Sequence, residues 1–247
     1  MAARIRVVVI GAGGRMGQSL LRQLPQFPAL ELAAEVSRTD DLAGRLQGAG
    51  LALDFSSAAA SAAHVNACVA ARVPLLLGTT GLPESLQALL QQAAEQIPLL
   101  VAANTSIAAN LLLELVQRAA RALPLSFDVQ ISEAHHRDKI DAPSGTALAL
   151  GTAVATARGA SPAEVPVVYG PHHPGPRLTG EIAYAVTRGG DLAGEHAVHF
   201  YGAGERLALS HGASDRAVYA RGALQAGAWL ARQRAGRYQM LDALSEK

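Results

Sequence analysis

Short apolar runs alternate with helical stretches in the first part of the chain. Five of these runs predict strands: IRVVVIG, ALELAAE, LALDFS, VPLLLGTT and IPLLVAAN. Helical patterns lie between them, over residues 14–24 and in the segments AAASAAHVNACVAA and PESLQALLQQAAEQ. Strands that alternate with helices form βαβ units around a parallel sheet, and continuously apolar strands are typical of a sheet covered on both faces. The first part of the chain therefore predicts a parallel α/β sheet.

The pattern changes after Asn104, where a helix over NLLLELVQRAARAL leads into LSFDVQISEAHH. Apolar and polar residues alternate there from Phe127 to Ser132, which predicts a strand with one buried and one solvent-exposed face. A helix over GTALALGTAVATA, three strands (GEIAYAVTR, GEHAVHFYG, ERLALSHGA) and a final helix over RAVYARGALQAGAWLARQ follow. We therefore predict a nucleotide-type α/β domain over residues 1–106 and 216–247, with an inserted α+β domain over residues 107–215.

The composition excludes several classes of protein. Hydrophobic residues make up 50% of the 247 residues and charged residues 17%, which excludes a disordered or coiled-coil chain. A net charge of +1 and 4% aromatic residues argue against nucleic-acid partners. No apolar run approaches the ~18 residues that a membrane-spanning helix needs. Cys68 is the single cysteine, which excludes an internal disulfide and fits a reducing compartment, so we predict a cytoplasmic protein without a membrane partner.

A glycine-rich turn joins the first predicted strand to the first predicted helix. Its sequence is GAGGRMG, residues 11–17, with a G-x-x-G-x-x-G spacing. Glycine lets a backbone turn sharply and approach a pyrophosphate, and the helix start directs free N–H groups at the anion. Glu35 ends the second predicted strand at a spacing that suits an acid bound to the ribose hydroxyls. Glu35 favours NAD, whereas Arg15 and Arg38 could hold the 2′-phosphate of NADP, so both cofactors remain open.

Two later loops are small enough to border the same dinucleotide. GTTG (residues 78–81) and AANTS (residues 102–106) each follow an apolar strand. Ligands of open α/β sheets bind at the carboxyl ends of the strands, where small residues leave room for a nicotinamide. Ordinary strand-to-helix turns have the same composition, so the pattern alone leaves that alternative open.

The segment EAHHRDKIDAPSGTA, residues 133–147, concentrates the charged residues of the second domain. His136, Arg137 and Lys139 could neutralise a carboxylate, and Lys139 and His135 are candidate proton donors beside a hydride acceptor. Alternatively, the segment is a solvent-exposed charged loop before a helix. A zinc site is a less favoured alternative, because adjacent histidines rarely bind the same metal ion. We predict no metal site.

The same segment opens a helix after Pro143. Ser144 is a reasonable N-cap residue, and the amides of Gly145 and Thr146 then lie in the first turn, outside the helix's own hydrogen-bond ladder. A carboxylate fits such a helix start. One small dianion could therefore be held by cations on one side and by these amides on the other.

Together these motifs resemble the 4-hydroxy-tetrahydrodipicolinate reductase (dihydrodipicolinate reductase) family over most of the chain. EAHHRDKIDAPSGTA is very close to the family's signature segment, and RGGDLAGEHAVHFYGAGERLALSHGASDR resembles its C-terminal strands. The resemblance implies a Rossmann-type domain and an α+β domain whose open mixed sheet builds a homotetramer. It places His135 and Lys139 at the catalytic positions and assigns the substrate carboxylates to His136, Gly145 and Thr146. It also implies the following cofactor residues: Gly11, Ala12, Gly13, Gly14, Arg15, Met16, Glu35, Gly78, Thr79, Thr80, Ala102, Ala103, Asn104 and Thr105.

The implied activity is the NADH- or NADPH-dependent reduction of a small cyclic dicarboxylate, 4-hydroxy-tetrahydrodipicolinate, in lysine and diaminopimelate biosynthesis. The chain departs from the family pattern in three places. The segment between Glu35 and Leu51 is short, an arginine stands at position 38 instead of directly after the acid, and Thr105 stands where an aromatic residue is common. Two alternatives remain: another two-domain dehydrogenase of the homoserine or aspartate type, and a non-catalytic NAD(H)-sensing module.

Overall fold

The computed structural model describes residues 3–163, 165, 167–169 and 176–245. Its strands are β1 (Ile5–Ile10), β2 (Leu30–Val36), β3 (Leu51–Asp54), β4 (Leu75–Leu77), β5 (Pro98–Val101), β6 (Asp128–His135), β7 (Val167–Tyr169), β8 (Ile182–Arg188), β9 (Gly194–Gly202), β10 (Glu205–Ala213) and β11 (Gly236–Tyr238). Its α-helices are α1 (Arg15–Gln23), α2 (Leu42–Arg45), α3 (Ala58–Ala71), α4 (Gln87–Ala94), α5 (Ile107–Ala122), α6 (Gly145–Ala157), α7 (Ala217–Leu230) and α8 (Asp242–Ser245). The chain divides into two compact units, of which the first combines Met1–Ile107 with Arg216–Lys247 and the second is Ala108–Asp215.

The first unit is built on a six-stranded sheet in the order β11-β5-β4-β3-β1-β2, and every paired strand is parallel. Both faces are covered. Val7 and Val9 of β1 pack into one apolar cluster with α7, whereas Val8 and Ile10 pack into a second cluster with α3 and α4. Successive side chains of a strand point to opposite faces, so a strand buried on both sides is continuously apolar. The parallel, doubly covered sheet predicted from the sequence is confirmed.

The last long helix, α7, belongs to the core of the first unit. Its Leu224 and Leu230 are fully buried among residues of β1 and β3. A Cβ atom at Gly222 would lie 1.9 Å from the carbonyl oxygen of Thr105, so glycine is the residue that lets α7 approach the loop after β5. The C-terminal segment therefore supports the sheet edge where the strands end.

The second unit contains a five-stranded mixed sheet in the order β10-β9-β6-β8-β7. β6 is parallel to β8 and antiparallel to β9. Alternate residues of β6, including Val129 and Ile131, are buried against α5 and α6, and the intervening Gln130 and Ser132 are half-buried on the other face. The alternation predicted for this strand is confirmed, and so is the open mixed sheet.

Several short elements were not predicted from the sequence. They are the three-residue strands β7 and β11 and the four-residue helices α2 and α8. A segment of three or four residues is too short to display a period, so its pattern carries no signal. Within the described ranges, no helix has the length and apolar character needed to cross a membrane.

Candidate cofactor and substrate sites

The glycine-rich turn of the first unit has the backbone that its sequence predicts. Gly11 has a φ of +81°, which favours glycine, and a Cβ there would lie 2.8 Å from the carbonyl oxygen of Phe55. A Cβ at Gly17 would lie 2.3 Å from the carbonyl oxygen of Gly11. Gly14 caps α1 and donates its N–H to Gly11 O at 3.0 Å. These contacts require small residues, and they bring the start of α1 close to the end of β1.

The end of β2 is tied directly to this turn. The Val36 carbonyl accepts hydrogen bonds from the N–H groups of Gly11 (2.9 Å) and Ala12 (3.2 Å). Glu35, beside Val36, is exposed, and so are Arg15 and Arg38. The acid that could bind the ribose and the two arginines that could bind a 2′-phosphate are thus all solvent-exposed. This arrangement is compatible with both NADH and NADPH.

The surface of the turn divides into open and buried positions. Gly13 is exposed, and a Cβ there would meet nothing within 4 Å. Gly14 is also exposed, whereas Ala12 is buried and Met16 is half-buried against the first core cluster. A tight turn with an open surface at Gly13 fits a pyrophosphate at a helix start.

The loops after β4 and β5 lie at the same edge of the sheet, because all strands of this unit are parallel. Thr79 is buried, and its hydroxyl lies 3.5 Å from Asp54; Thr80 is exposed. The Thr105 hydroxyl donates to the carbonyl oxygen of Tyr219 at 2.7 Å. Since both buried threonines use their side chains inside the unit, their contribution to a bound dinucleotide would come from the main chain.

The remaining residues of these loops form a framework of backbone groups. Gly78 and Ala102 are buried, and the Ala102 N–H donates to Leu77 O at 3.0 Å. Ala103 is exposed, and the half-buried Asn104 accepts the N–H of Ser106 on its side-chain oxygen at 2.9 Å. A hydrogen bond to β4 and one within the loop after β5 therefore hold these backbone groups in place.

In the second unit, the carboxylate of Glu133 is the centre of a buried polar network. It accepts two hydrogen bonds from Arg188 (2.9 and 2.8 Å), one from the Ser144 N–H (3.1 Å) and one from His135 Nδ1 (2.5 Å). Burial alone would raise the pKa of Glu133, but the bonds from these donors lower it below its usual value. The first residue of the charged segment is therefore an ionised, buried carboxylate, and four N–H groups donate hydrogen bonds to it.

The register of the mixed sheet assembles this network. Glu133 lies opposite His196 on β9, and His135 lies opposite Arg188 on β8. His135 and His196 are both buried, and their rings meet edge to face with centroids 5.1 Å apart. Four residues from three strands thus converge at the carboxyl end of β6.

The tautomer of His135 follows from its partner. An ionised carboxylate only accepts hydrogen bonds, so the Nδ1 atom of His135 carries a proton toward Glu133. Burial lowers the pKa of His135 below its ordinary value, and the hydrogen bond and charge of Glu133 offset this only in part. The positive charges of Lys139 and Arg188 lower it further. At neutral pH the ring is therefore neutral, and its Nε2 atom is an acceptor.

The loop after β6 presents Lys139 and is fixed by Arg188. Arg188 donates to the carbonyl oxygens of Lys139 (3.2 Å) and Asp141 (2.6 Å) in addition to its bonds with Glu133. The Lys139 ammonium lies 2.8 Å from both carboxylate oxygens of Asp141, and its hydrogen bond and charge lower the pKa of Asp141. Exposed ion pairs of this kind contribute little stability, so Lys139 can exchange Asp141 for another anion at small cost.

The start of α6 is built as predicted. The Ser144 hydroxyl accepts the N–H of Ala147 at 3.2 Å, which confirms Ser144 as the N-cap residue, and it also bonds His196 Nε2 at 3.0 Å. Burial lowers the pKa of His196 to about 4. Gly145 is exposed, with open space where a Cβ would be, and Thr146 is half-buried. The helix start is therefore rigidly held on its inner side and open at Gly145.

Sequence analysis predicted a common site for His135, His136 and Lys139, of which His136 is half-buried. It assigned no role to Glu133, Arg188 or His196. The burial of Glu133 could have been predicted, because the alternation along β6 places it on the same buried face as Val129 and Ile131. Arg188 and His196 lie on strands far along the sequence, so only the sheet register brings them to the site.

Comparison with known families gives two matches that together cover nearly the whole chain. The model described as "Dihydrodipicolinate reductase, N-terminus" matches residues 5–105. The model described as "Dihydrodipicolinate reductase, C-terminus" matches residues 108–244. The glycine-rich turn lies in the first match, and the Glu133 network lies in the second.

Curated relatives and solved structures agree with these matches. The chain is 41% identical to a 4-hydroxy-tetrahydrodipicolinate reductase from Zymomonas mobilis, with 97% of each chain covered. It is 40% identical to one from Anaeromyxobacter dehalogenans, also with 97% of each covered. A dipicolinate-bound dihydrodipicolinate reductase from Paenisporosarcina sp. TG-14 has a TM-score of 0.77 at 24% identity, over 96% of this chain and 97% of that one. The last similarity concerns the fold alone.

Proposed function

Because the chain belongs to the dihydrodipicolinate reductase family, we propose that it reduces 4-hydroxy-tetrahydrodipicolinate, through the dehydrated imine, to tetrahydrodipicolinate, a step of lysine and diaminopimelate biosynthesis. The observation that carries the proposal is the Glu133 network, which fixes a neutral histidine, a lysine and an open helix start at one end of a strand. A dianionic ring fits a site that combines a positive charge with the start of a helix.

A nicotinamide dinucleotide fits the residues of the first unit. We assign its pyrophosphate to residues 11–16, its ribose to Glu35 and its nicotinamide to the loops at residues 78–80 and 102–105. The open surface at Gly13 and the ordered backbone of both loops support this assignment. When bound, NADH or NADPH supplies the hydride.

The substrate carboxylates are assigned to opposite sides of the second unit's site. One fits the start of α6, where Gly145 is open and the helix dipole favours negative charge. We assign the other to His136 and Lys139, since Lys139 already holds a carboxylate, that of Asp141, at 2.8 Å. Positive charge around the ring also stabilises the electron-rich product of hydride addition.

Lys139 is our proposed proton donor. The Nδ1 proton of His135 is donated to Glu133, and Nε2 carries no proton at neutral pH. His135 therefore orients the substrate ring by accepting a hydrogen bond on Nε2, and it does not deliver the proton. The chain has only two lysines, Lys139 and Lys247, among 21 lysine and arginine residues. Arginine does not release a proton in proteins, so a lysine at this position is chemically distinctive.

We further propose a cytoplasmic homotetramer. The open face of the mixed sheet supports association, because its side chains at Gln130, Ser132 and Ala197 are only half-buried in the single chain. Sedimentation equilibrium of the purified chain tests the assembly, and a monomer at all concentrations would contradict it.

Loss of absorbance at 340 nm tests the activity directly. The substrate is generated enzymatically, and NADH and NADPH are supplied in separate reactions. We expect oxidation of at least one cofactor that depends on both the enzyme and hydroxy-tetrahydrodipicolinate. Oxidation with an oxo acid and ammonia, but not with this substrate, would favour an aspartate-dehydrogenase type. Cofactor binding without any oxidation would favour a sensing module.

Two variants of Lys139 separate its charge from its proton. Lys139→Arg keeps the positive charge and should keep substrate affinity within about threefold, but kcat should fall by about 10²-fold, as expected for a lost general acid. Lys139→Ala should lose both. NADH affinity should stay unchanged in each. A Lys139→Arg enzyme with wild-type kcat would exclude Lys139 as the proton donor.

A further inference from the structure

A second buried carboxylate lies at the edge of the sheet in the first unit. Asp54 ends β3 and is fully buried. Its carboxylate accepts the N–H of Ser56 (2.9 Å), the hydroxyl of Ser56 (2.6 Å) and Nδ1 of His64 on α3 (2.9 Å). The Thr79 hydroxyl lies 3.5 Å from the same carboxylate. A buried charge is costly unless it is paired, so the carboxylate needs these donors. They connect the end of β3, helix α3 and the loop after β4.

The residues that follow Asp54 are wedged between two glycines. A Cβ at Gly11 would lie 2.8 Å from the Phe55 carbonyl oxygen and 2.9 Å from the Ser56 Cα. A Cβ at Gly78 would lie 2.1 Å from the Phe55 ring. Phe55 and Ser56 therefore contact the glycine-rich turn on one side and the loop after β4 on the other. Residues 55–56 therefore pack tightly against both segments.

This cluster is not built for nucleophilic catalysis. A serine nucleophile needs one histidine nitrogen for itself and the other for the carboxylate. Here the Ser56 hydroxyl (3.3 Å) and Asp54 (2.9 Å) both face the same atom, His64 Nδ1. The strong bonds instead run from Ser56 and His64 to the carboxylate, which is the pattern of a structural anchor.

We propose that Asp54, anchored by His64 and Ser56, is a positioning residue for dinucleotide binding. Its hydrogen bonds fix residues 55–56 and thereby set the distance between the glycine-rich turn and the loop at residues 78–80. The proposal rests on the proposed function only in assigning these two segments to the cofactor. His64 acts from outside the cofactor site, through the carboxylate.

His64 variants test the proposal without removing the buried charge. His64→Ala removes one charge-assisted hydrogen bond, and we expect the NADH dissociation constant and the KM for NADH to rise about tenfold. At saturating NADH, kcat should stay within twofold of wild type. His64→Asn places a side-chain N–H near the position of Nδ1 and should restore most of the affinity. The matched control is Asn66→Ala, an exposed position on the same helix, which should bind as wild type does.

The outcomes separate this proposal from the proposed function. If the wild-type chain binds NADH and His64→Ala binds it within twofold, the positioning role is wrong while the reductase assignment stands. A fall in kcat with unchanged KM, or an Asn variant as weak as the Ala variant, would also overturn it. If the wild-type chain binds neither NADH nor NADPH, both proposals fail.

Discussion

Replacing Glu133 by glutamine tests the organisation of the substrate site most sharply. The variant keeps the shape of the side chain but exchanges a carboxylate that accepts four N–H donors for an amide with one accepting oxygen. Its NH₂ group must face donors that previously met an oxygen. Arg188 then loses its buried counter-charge, and His135 loses the partner that fixes its Nδ1 proton.

The expected magnitude follows from these contacts. Breaking a buried ion pair by removing one partner costs about 3–5 kcal/mol. The Arg188 side chain is 19% exposed and keeps its bonds to two loop carbonyls, so we expect the lower limit, about 3 kcal/mol of unfolding free energy. The carboxylate partner of a metal-bound histidine is worth about 10- to 100-fold in activity, and we expect a fall in kcat of about that size for His135, which Glu133 orients in the same way.

Urea unfolding and steady-state kinetics on Glu133→Gln provide the assay, and the double variant with Arg188→Met is its control. Removing both charges should recover about 1 kcal/mol or more of the lost stability, because no uncompensated charge remains. Activity should not recover, since His135 still has no anionic partner. A Glu133→Gln chain within 0.5 kcal/mol of wild type and with kcat within about twofold would refute this reasoning.

Three further predictions concern other parts of the fold. Ser144→Ala should lower the free energy of unfolding by about 1 kcal/mol and raise the substrate KM, because the helix cap is lost; unchanged urea unfolding would contradict this. Gly17→Ala should weaken NADH binding measured by calorimetry, since the new Cβ would lie 2.3 Å from a carbonyl oxygen. His196, with a pKa of about 4, stays neutral in the folded chain while the unfolded chain takes up a proton, so stability should fall as pH drops from 6.5 toward 4. His196→Gln should reduce this loss of stability by up to about 3 kcal/mol. An unchanged dependence of the unfolding free energy on pH would show that His196 is not its source.

Much of the fold could be predicted from the period of its apolar residues. The buried strands of the first unit are continuously apolar, and β6 alternates, because one sheet is covered on both faces and the other on one. The edge strands β7 and β11 could not be predicted in this way. Each has three residues, and its pairing is decided by the neighbouring strand.

The candidate site was predictable only where its residues are neighbours in sequence. His135, Lys139 and Ser144 lie in one segment, so their chemistry could be considered together. Arg188 and His196 join them through the register of β6 with β8 and β9, which no local pattern specifies. The same holds for Asp54 and His64, whose contact depends on how α3 packs beside the end of β3.

The most direct test of the account is a crystal structure of the chain with NADH and pyridine-2,6-dicarboxylate, a stable analogue of the ring. We predict one carboxylate at the amides that begin α6, at Gly145 and Thr146, and the other beside Lys139. A dicarboxylate bound anywhere else in the presence of the cofactor would contradict the account.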